Sequence, residues 1–200
     1  MKKTIRLTES EIVSLVKKVL NEELLTENAK SLDKWKLYTT YKLYNNLGSM
    51  KTFETIFKDF KTDTAYEGWE NGCATKVSLA LNAAGYKVKP GYKVTKGAQK
   101  GNDIQPSAAG LKTQLTNNWG EPDVKWSGSK TEQEVQKLIG KGRTGVIICS
   151  PCGFGSGASG HATVWSRSGG KNMIGGTVDG TTYHMGPSAN VSFWQVGNMG

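Results

Sequence analysis

Apolar residues along the chain recur first at helical spacing and later at strand spacing. Thr8-Glu9-Ser10-Glu11 has the form of a capping box, and Ile12, Leu15, Val16, Val19 and Leu20 share one face behind it. The pattern predicts a helix over residues 8–25. Thr26 to Ser31 is polar and aperiodic, so a linker falls there and the main domain starts near residue 29. The organisation is therefore a segment 1–28 and a domain 29–200. The first helix either packs its apolar stripe on the domain or offers it to the groove of a partner.

Between Leu32 and Phe60, aromatic and aliphatic residues interleave with lysines in a manner compatible with one or two short helices. Such a mixture can stack on single-stranded nucleic acid. Its helical spacing favours core packing instead. Gly72 to Gly85 predicts a helix burying Val77, Leu81 and Ala84, stopped by Gly85 in the position after the last turn. Further helices are expected over Ala108–Trp119 and Thr131–Ile139, the second opened by the capping box Thr131-Glu132-Gln133-Glu134 and closed by Gly140. The texture then changes. Residues 145–149 form a β-branched run, and 160–165 and 191–196 alternate, with Gly- and Ser-rich turns between them. Helices first and strands last imply an α+β domain with a small antiparallel sheet.

Composition narrows the function classes. The 200 residues suit one domain with an appendage, and 25 glycines against 5 prolines indicate many turns. No apolar run reaches the roughly 18 residues of a membrane span. Glu9, Glu11, Lys17 and Lys18 interrupt the stretch where a signal peptide would need an uncharged run. A net charge of +9 favours an anionic partner, such as nucleic acid, an acidic membrane surface or a cell-wall polymer.

Three cysteines cannot form a disulfide framework, and the odd count leaves a thiol over. Cys73 stands in the first turn of a predicted helix, where free N–H groups and the helix dipole favour a thiolate and could also hold an oxyanion. Gly72 before it leaves room for a substrate backbone. Of the two histidines, His161 and His184, His161 is the better base, because a strand gives its imidazole a rigid mount. From spacing alone it is equally a histidine hydrogen-bonded in the core. Asp179 lies on the segment expected to return beside the His161 strand and suits the acceptor an imidazole needs. Asp179-Gly180 is also a hairpin-turn dipeptide. Cys149-Ser150-Pro151-Cys152 lacks the partners of a zinc site and the following helix of a thioredoxin-like motif. It reads as a local disulfide or as two inert thiols. The glycine-rich stretch 153–160 lacks the ending of a phosphate loop and reads as a hairpin loop beside the site.

The stretch Asn71-Gly72-Cys73-Ala74-Thr75-Lys76-Val77-Ser78-Leu79-Ala80-Leu81 resembles the nucleophile helix of the type VI secretion amidase effector 4 family, a papain-like group related to the NlpC/P60 peptidases. Ala109-Gly110-Leu111 through Trp119-Gly120-Glu121-Pro122-Asp123 is similar to the family's helix and tryptophan-glycine turn. Gly145 to Ile148 through Gly160-His161-Ala162-Thr163-Val164-Trp165 resembles the strand and loop leading to its base, and Val191-Ser192-Phe193-Trp194 its closing strand. The likeness spans about residues 35 to 196. It implies a papain-like fold and a cysteine amidase without metal or cofactor. The enzyme would cut the peptidoglycan stem peptide between D-glutamate and the diamino acid, in the periplasm of a competitor. Matched residue by residue, Cys73 is the nucleophile, His161 the base and Asp179 the orienting acid; Gly72 and Gly160 are expected to line the substrate path. A cognate immunity protein is an expected partner, and residues 8–25 would dock on the injection apparatus. A phage-type lysin would need the same chemistry, and a catalytically inactive module that binds the cell wall or an acidic protein is the alternative of another class.

Overall fold

The computed structural model describes residues 8, 10–12, 14, 29, 31–67, 69–153, 160–166, 176–180 and 187–197. Most of the expected helix 8–25, the stretch 154–159 and His184 lie outside the described residues. At the start of the first helix both capping bonds are present. The Thr8 N–H donates to Glu11 Oε2 at 2.7 Å, and the Glu11 N–H to Thr8 Oγ1 at 3.3 Å.

The aromatic and lysine region forms two helices, α1 (Lys34–Leu47) and α2 (Ser49–Ile56), broken at Gly48 by its φ of 78°. Asp33 caps α1, accepting from the N–H groups of Trp35 and Lys36, each at 3.0 Å. A 3-10 turn (Thr64–Tyr66) leads to α3 (Cys73–Ala84), which ends at Gly85 in the left-handed region as the pattern implied. The short ribbon β1 (Tyr92–Lys93) and β2 (Asp103–Ile104) precedes α4 (Ala108–Trp119). Then come β3 (Val124–Ser127), α5 (Glu132–Ile139), β4 (Gly145–Cys149), β5 (His161–Ser166), β6 (Gly176–Thr177) and β7 (Asn190–Gln195). The capping box of α5 closes as expected, with the Thr131 N–H donating to Glu134 Oε2 at 2.8 Å and the Glu134 N–H to Thr131 Oγ1 at 3.3 Å.

The sheet is antiparallel throughout, in the order β3-β7-β4-β5-β6. Its central strand β4 is buried along its whole length, which explains why Gly145-Val146-Ile147-Ile148-Cys149 is continuously apolar rather than alternating. Val146 and Ile148 enter one core with Leu37 and Tyr41 of α1, Val77 and Leu81 of α3, and Leu111 and Leu115 of α4. Ile147 and Cys149 enter a second core with Val135 and Ile139 of α5, Trp165 and Phe193. A third cluster buries Tyr44, Phe53, Ile56, Phe57 and Phe60 against Leu79. The aromatics of the lysine-rich region are thus mostly core residues, with Trp35 the exposed exception. Truncating a fully buried Leu or Ile of these clusters to Ala costs about 2–5 kcal/mol. That packing fixes the relative positions of α1, α3 and β5, between which the charged residues of the next section lie.

Candidate active site

Segments from α3, β5 and the turn after β6 meet around Cys73. Cys73 is the first residue of α3, so its own N–H and those following it lack intrahelical acceptors and point toward the helix start. It is half-buried. His161 begins β5, and Asp179 lies in the turn that follows β6. The two-residue β6 pairs with the end of β5, Trp165 opposite Thr177 and Ser166 opposite Gly176, and this return carries the aspartate back beside the histidine. His161 Nε2 is 2.9 Å from Asp179 Oδ2, with both side chains largely shielded. The same imidazole and the Ala162 N–H lie near enough to the Cys73 sulfur to act on its charge. With Nε2 engaged by Asp179, Nδ1 is the ring nitrogen left to serve the sulfur.

The electrostatics favour an ion pair. Burial pushes the Cys73 thiol up, but the hydrogen bond and charge of His161, with the N–H groups of Ala162 and Ala74, outweigh it and bring the thiol below its ordinary value. Burial alone would lower the His161 imidazolium. The hydrogen bonds and charges of Asp179 and Cys73 overcome this and raise it to about 9. At neutral pH both displacements stabilise a thiolate beside an imidazolium.

The two glycines expected along the substrate path have another steric reason. A Cβ on buried Gly72 would lie 3.0 Å from the Cβ and Oγ of Ser49, and the Gly72 N–H donates to that Oγ at 3.0 Å. The room beside Gly72 is taken by the first residue of α2, which anchors the entry to the nucleophile helix. A Cβ on Gly160 would come within 2.8 Å of the Ala108 Cβ and 3.0 Å of the Cys149 carbonyl oxygen, so this glycine lets the chain enter β5 against α4. Cys149 lies opposite His161 in the β4–β5 register. Its Cα is 5.2 Å from that of Cys152, within the span of a disulfide, and both residues are buried in the second core.

Three contributors escaped the sequence reading. Tyr41 of α1 donates its hydroxyl to Asp179 Oδ2 at 3.1 Å. Burial first, then the Asp179 charge, raise the phenol well above its ordinary range, so it stays a neutral donor. Lys76 of α3, also buried, donates from Nζ to Asn45 Oδ1 at 3.4 Å. Tyr41 and Asn45 are one turn apart on α1, as Cys73 and Lys76 are on α3, so facing polar steps on two helices enclose the site. No local pattern in the sequence marks them, because the role of each depends on how α1 and α3 cross.

Comparisons with known proteins bear on the family and the fold. The family described as "Type VI secretion system (T6SS), amidase effector protein 4" matches residues 69–194. No curated protein sequence matches the chain. Among solved structures, the type VI effector Tae4 from Enterobacter cloacae is 16% identical, with a TM-score of 0.56 over 82% of this chain and 96% of that one. The effector–immunity complex Tae4–Tai4 from Salmonella Typhimurium contains a chain 19% identical, with a TM-score of 0.60 over 84% of this chain and 99% of that one. At such identities the likeness establishes the shared fold, an α+β arrangement of helices on an antiparallel sheet, while the match over residues 69–194 establishes kinship. The chain belongs to the type VI secretion system amidase effector protein 4 family.

Proposed function

We propose that the protein is a cysteine amidase of the peptidoglycan stem peptide, with Cys73 as nucleophile, His161 as proton carrier and Asp179 as the acid that orients it. The observation carrying this reading is the 2.9 Å bond between His161 and Asp179 beside a helix-start cysteine whose thiol the same imidazole draws below its ordinary range. The Cys73 thiolate attacks the amide carbonyl carbon. A C–S bond forms, and the electron pair of the carbonyl moves onto oxygen, where the Cys73 backbone N–H at the helix start can receive it. As the tetrahedral intermediate collapses, the C–N bond breaks and the imidazolium gives its proton to the leaving amine. Water, deprotonated by the now neutral His161, then attacks the thioester and returns Cys73 as thiolate. Tyr41 and the imidazole share Asp179 Oδ2, which fixes the carboxylate and through it the ring plane.

The scissile bond in this reading joins D-glutamate to the diamino acid, and the site of action is the periplasm of a target cell. Net charge +9 suits the anionic wall. The relatives from Enterobacter cloacae and Salmonella Typhimurium are found in complex with the immunity protein Tai4, and a cognate immunity protein is the corresponding partner here. Residues 1–28 serve as the loading segment. The buried position of Ala29 in the first core, with its carbonyl accepting the Gly197 N–H at 3.0 Å, supports a domain that starts at that residue. In the oxidising periplasm Cys149 and Cys152 form a disulfide.

Digestion of purified sacculi tests the assignment. The wild-type chain is expected to release muropeptides whose masses report the bond cut, and Cys73→Ala to release none. Release by the correctly folded Cys73→Ala variant would overturn the cysteine mechanism and leave the chemistry to another residue. Absence of release by either chain would favour a wall-binding module.

A further inference from the structure

The thiolate, the imidazolium and the Asp179 carboxylate together carry one net negative charge, in a place where water is largely excluded. A buried cluster with unbalanced charge is costly, so a cation is needed nearby. Lys76 is only 8% exposed, one helical turn beyond Cys73 on the same helix. Among the described residues its ammonium has one hydrogen-bond partner, the amide oxygen Asn45 Oδ1 at 3.4 Å. One weak amide contact does not account for burying an ammonium. Burial pushes Lys76 down from its ordinary range, while the charges of Cys73 and then Asp179 pull it back up.

The neighbouring elements offer few rival charges. From α1 the titratable group facing the site is Tyr41, held neutral, and Lys36 and Lys42 are exposed. On α2, Lys51 and Glu54 pair with each other, and Glu54 also pairs with Lys61. Asp103 of β2 is engaged by Lys93, and Lys112, the charged residue of α4, donates to the Ser150 carbonyl oxygen at 3.2 Å. From β5 and the turn after β6 come His161 and Asp179 themselves.

We propose that Lys76 is a positioning residue of the site, whose buried ammonium, tethered by Asn45, neutralises the Cys73–His161–Asp179 cluster and holds Cys73 as a thiolate. The inference rests on the cysteine-hydrolase reading for its meaning, but its measurement does not require hydrolysis. The pH dependence of Cys73 alkylation by iodoacetamide, followed on the Cys73 peptide of the full chain by mass spectrometry, reads the thiolate fraction. Lys76→Met is expected to move the midpoint upward by about one pH unit, and Lys76→Arg to leave it near the wild-type value. The acid limb of kcat/KM should move with it. An unmoved midpoint in a folded Lys76→Met variant overturns the proposal. Should that variant fail to fold, Asn45→Asp decides, because a carboxylate on half-exposed Asn45 would engage the ammonium and also raise the midpoint. No shift there overturns the proposal as well. If Cys73→Ala still digests sacculi, the catalytic reading falls, while the alkylation midpoint continues to test the role of Lys76.

Discussion

Cys73 and Cys149 both lie next to His161, one across the helix–strand contact and the other opposite it in the sheet register, yet their surroundings differ in kind. Cys73 sits at a helix start near an imidazole, a carboxylate and an ammonium, with limited access to solvent. Cys149 sits with Cys152 among Trp126, Ile147, Trp165 and Phe193, where nothing in the packed set favours a negative charge. Proximity to the histidine is therefore insufficient to activate a thiol. What activates it is the side of β5 toward which the sulfur lies and the groups gathered there.

The strongest way to break this contrast is to remove its charged half. His161→Ala takes away both the counterion of the thiolate and the proton donor, and is expected to lower kcat/KM on sacculi by roughly 10⁴-fold. Alkylation of Cys73 at neutral pH should also slow toward that of an ordinary thiol. Unchanged alkylation would show that the helix start alone activates the sulfur. Asp179→Asn comes next. Losing one charged hydrogen bond, about 1.5–3 kcal/mol, corresponds to about 10- to 160-fold in rate. Its signature is in the pH profile. The imidazolium is needed to protonate the leaving amine, so activity falls as pH rises through the His161 value of about 9. Without the carboxylate that value drops, and the alkaline limb moves to lower pH. An alkaline limb that stays in place would remove Asp179 from the relay.

How far the sequence disclosed this site follows from where each partner lies along the chain. Cys73 was legible because helix-forming periodicity begins at it and a glycine closes the helix 12 residues later. His161 was legible because alternation marked its strand, and β5 appears where expected. Asp179 was placed on a returning segment, which β6 supplies with only two paired residues. Tyr41, Asn45 and Lys76 were not legible, because their roles depend on how α1 and α3 cross, and no local pattern encodes a crossing. Tyr41 looked like a core residue and is one, with only its hydroxyl reaching the site. The edge strand β3 was missed for another reason: in Val124-Lys125-Trp126-Ser127 only Trp126 is buried, too weak an alternation to announce a strand.

Tyr41→Phe probes the outer layer of the same cluster. It keeps the ring in the core and deletes the 3.1 Å bond to Asp179, expected to cost about 1 kcal/mol, or about fivefold in kcat/KM. The expected loss lies in kcat, because the hydroxyl orients a catalytic partner rather than substrate. A change confined to KM would instead place Tyr41 in contact with the stem peptide.

The smallest effect on chemistry, and the sharpest test of the contrast, belongs to the other cysteines. Cys149→Ser with Cys152→Ser opens the proposed ring between residues three apart. Loop-closure entropy for so short a ring gives roughly 2 kcal/mol of stability, and two hydroxyls placed in an apolar core add to the loss. The expected result is a lower midpoint in denaturant with kcat and the Cys73 alkylation profile nearly unchanged, because no charge of the Cys73 cluster has been touched. If the double variant instead shifts the Cys73 profile while remaining folded, then the β4–β5 register transmits strain from Cys149 to its partner His161. The two thiol environments would then be mechanically coupled rather than separated by the sheet.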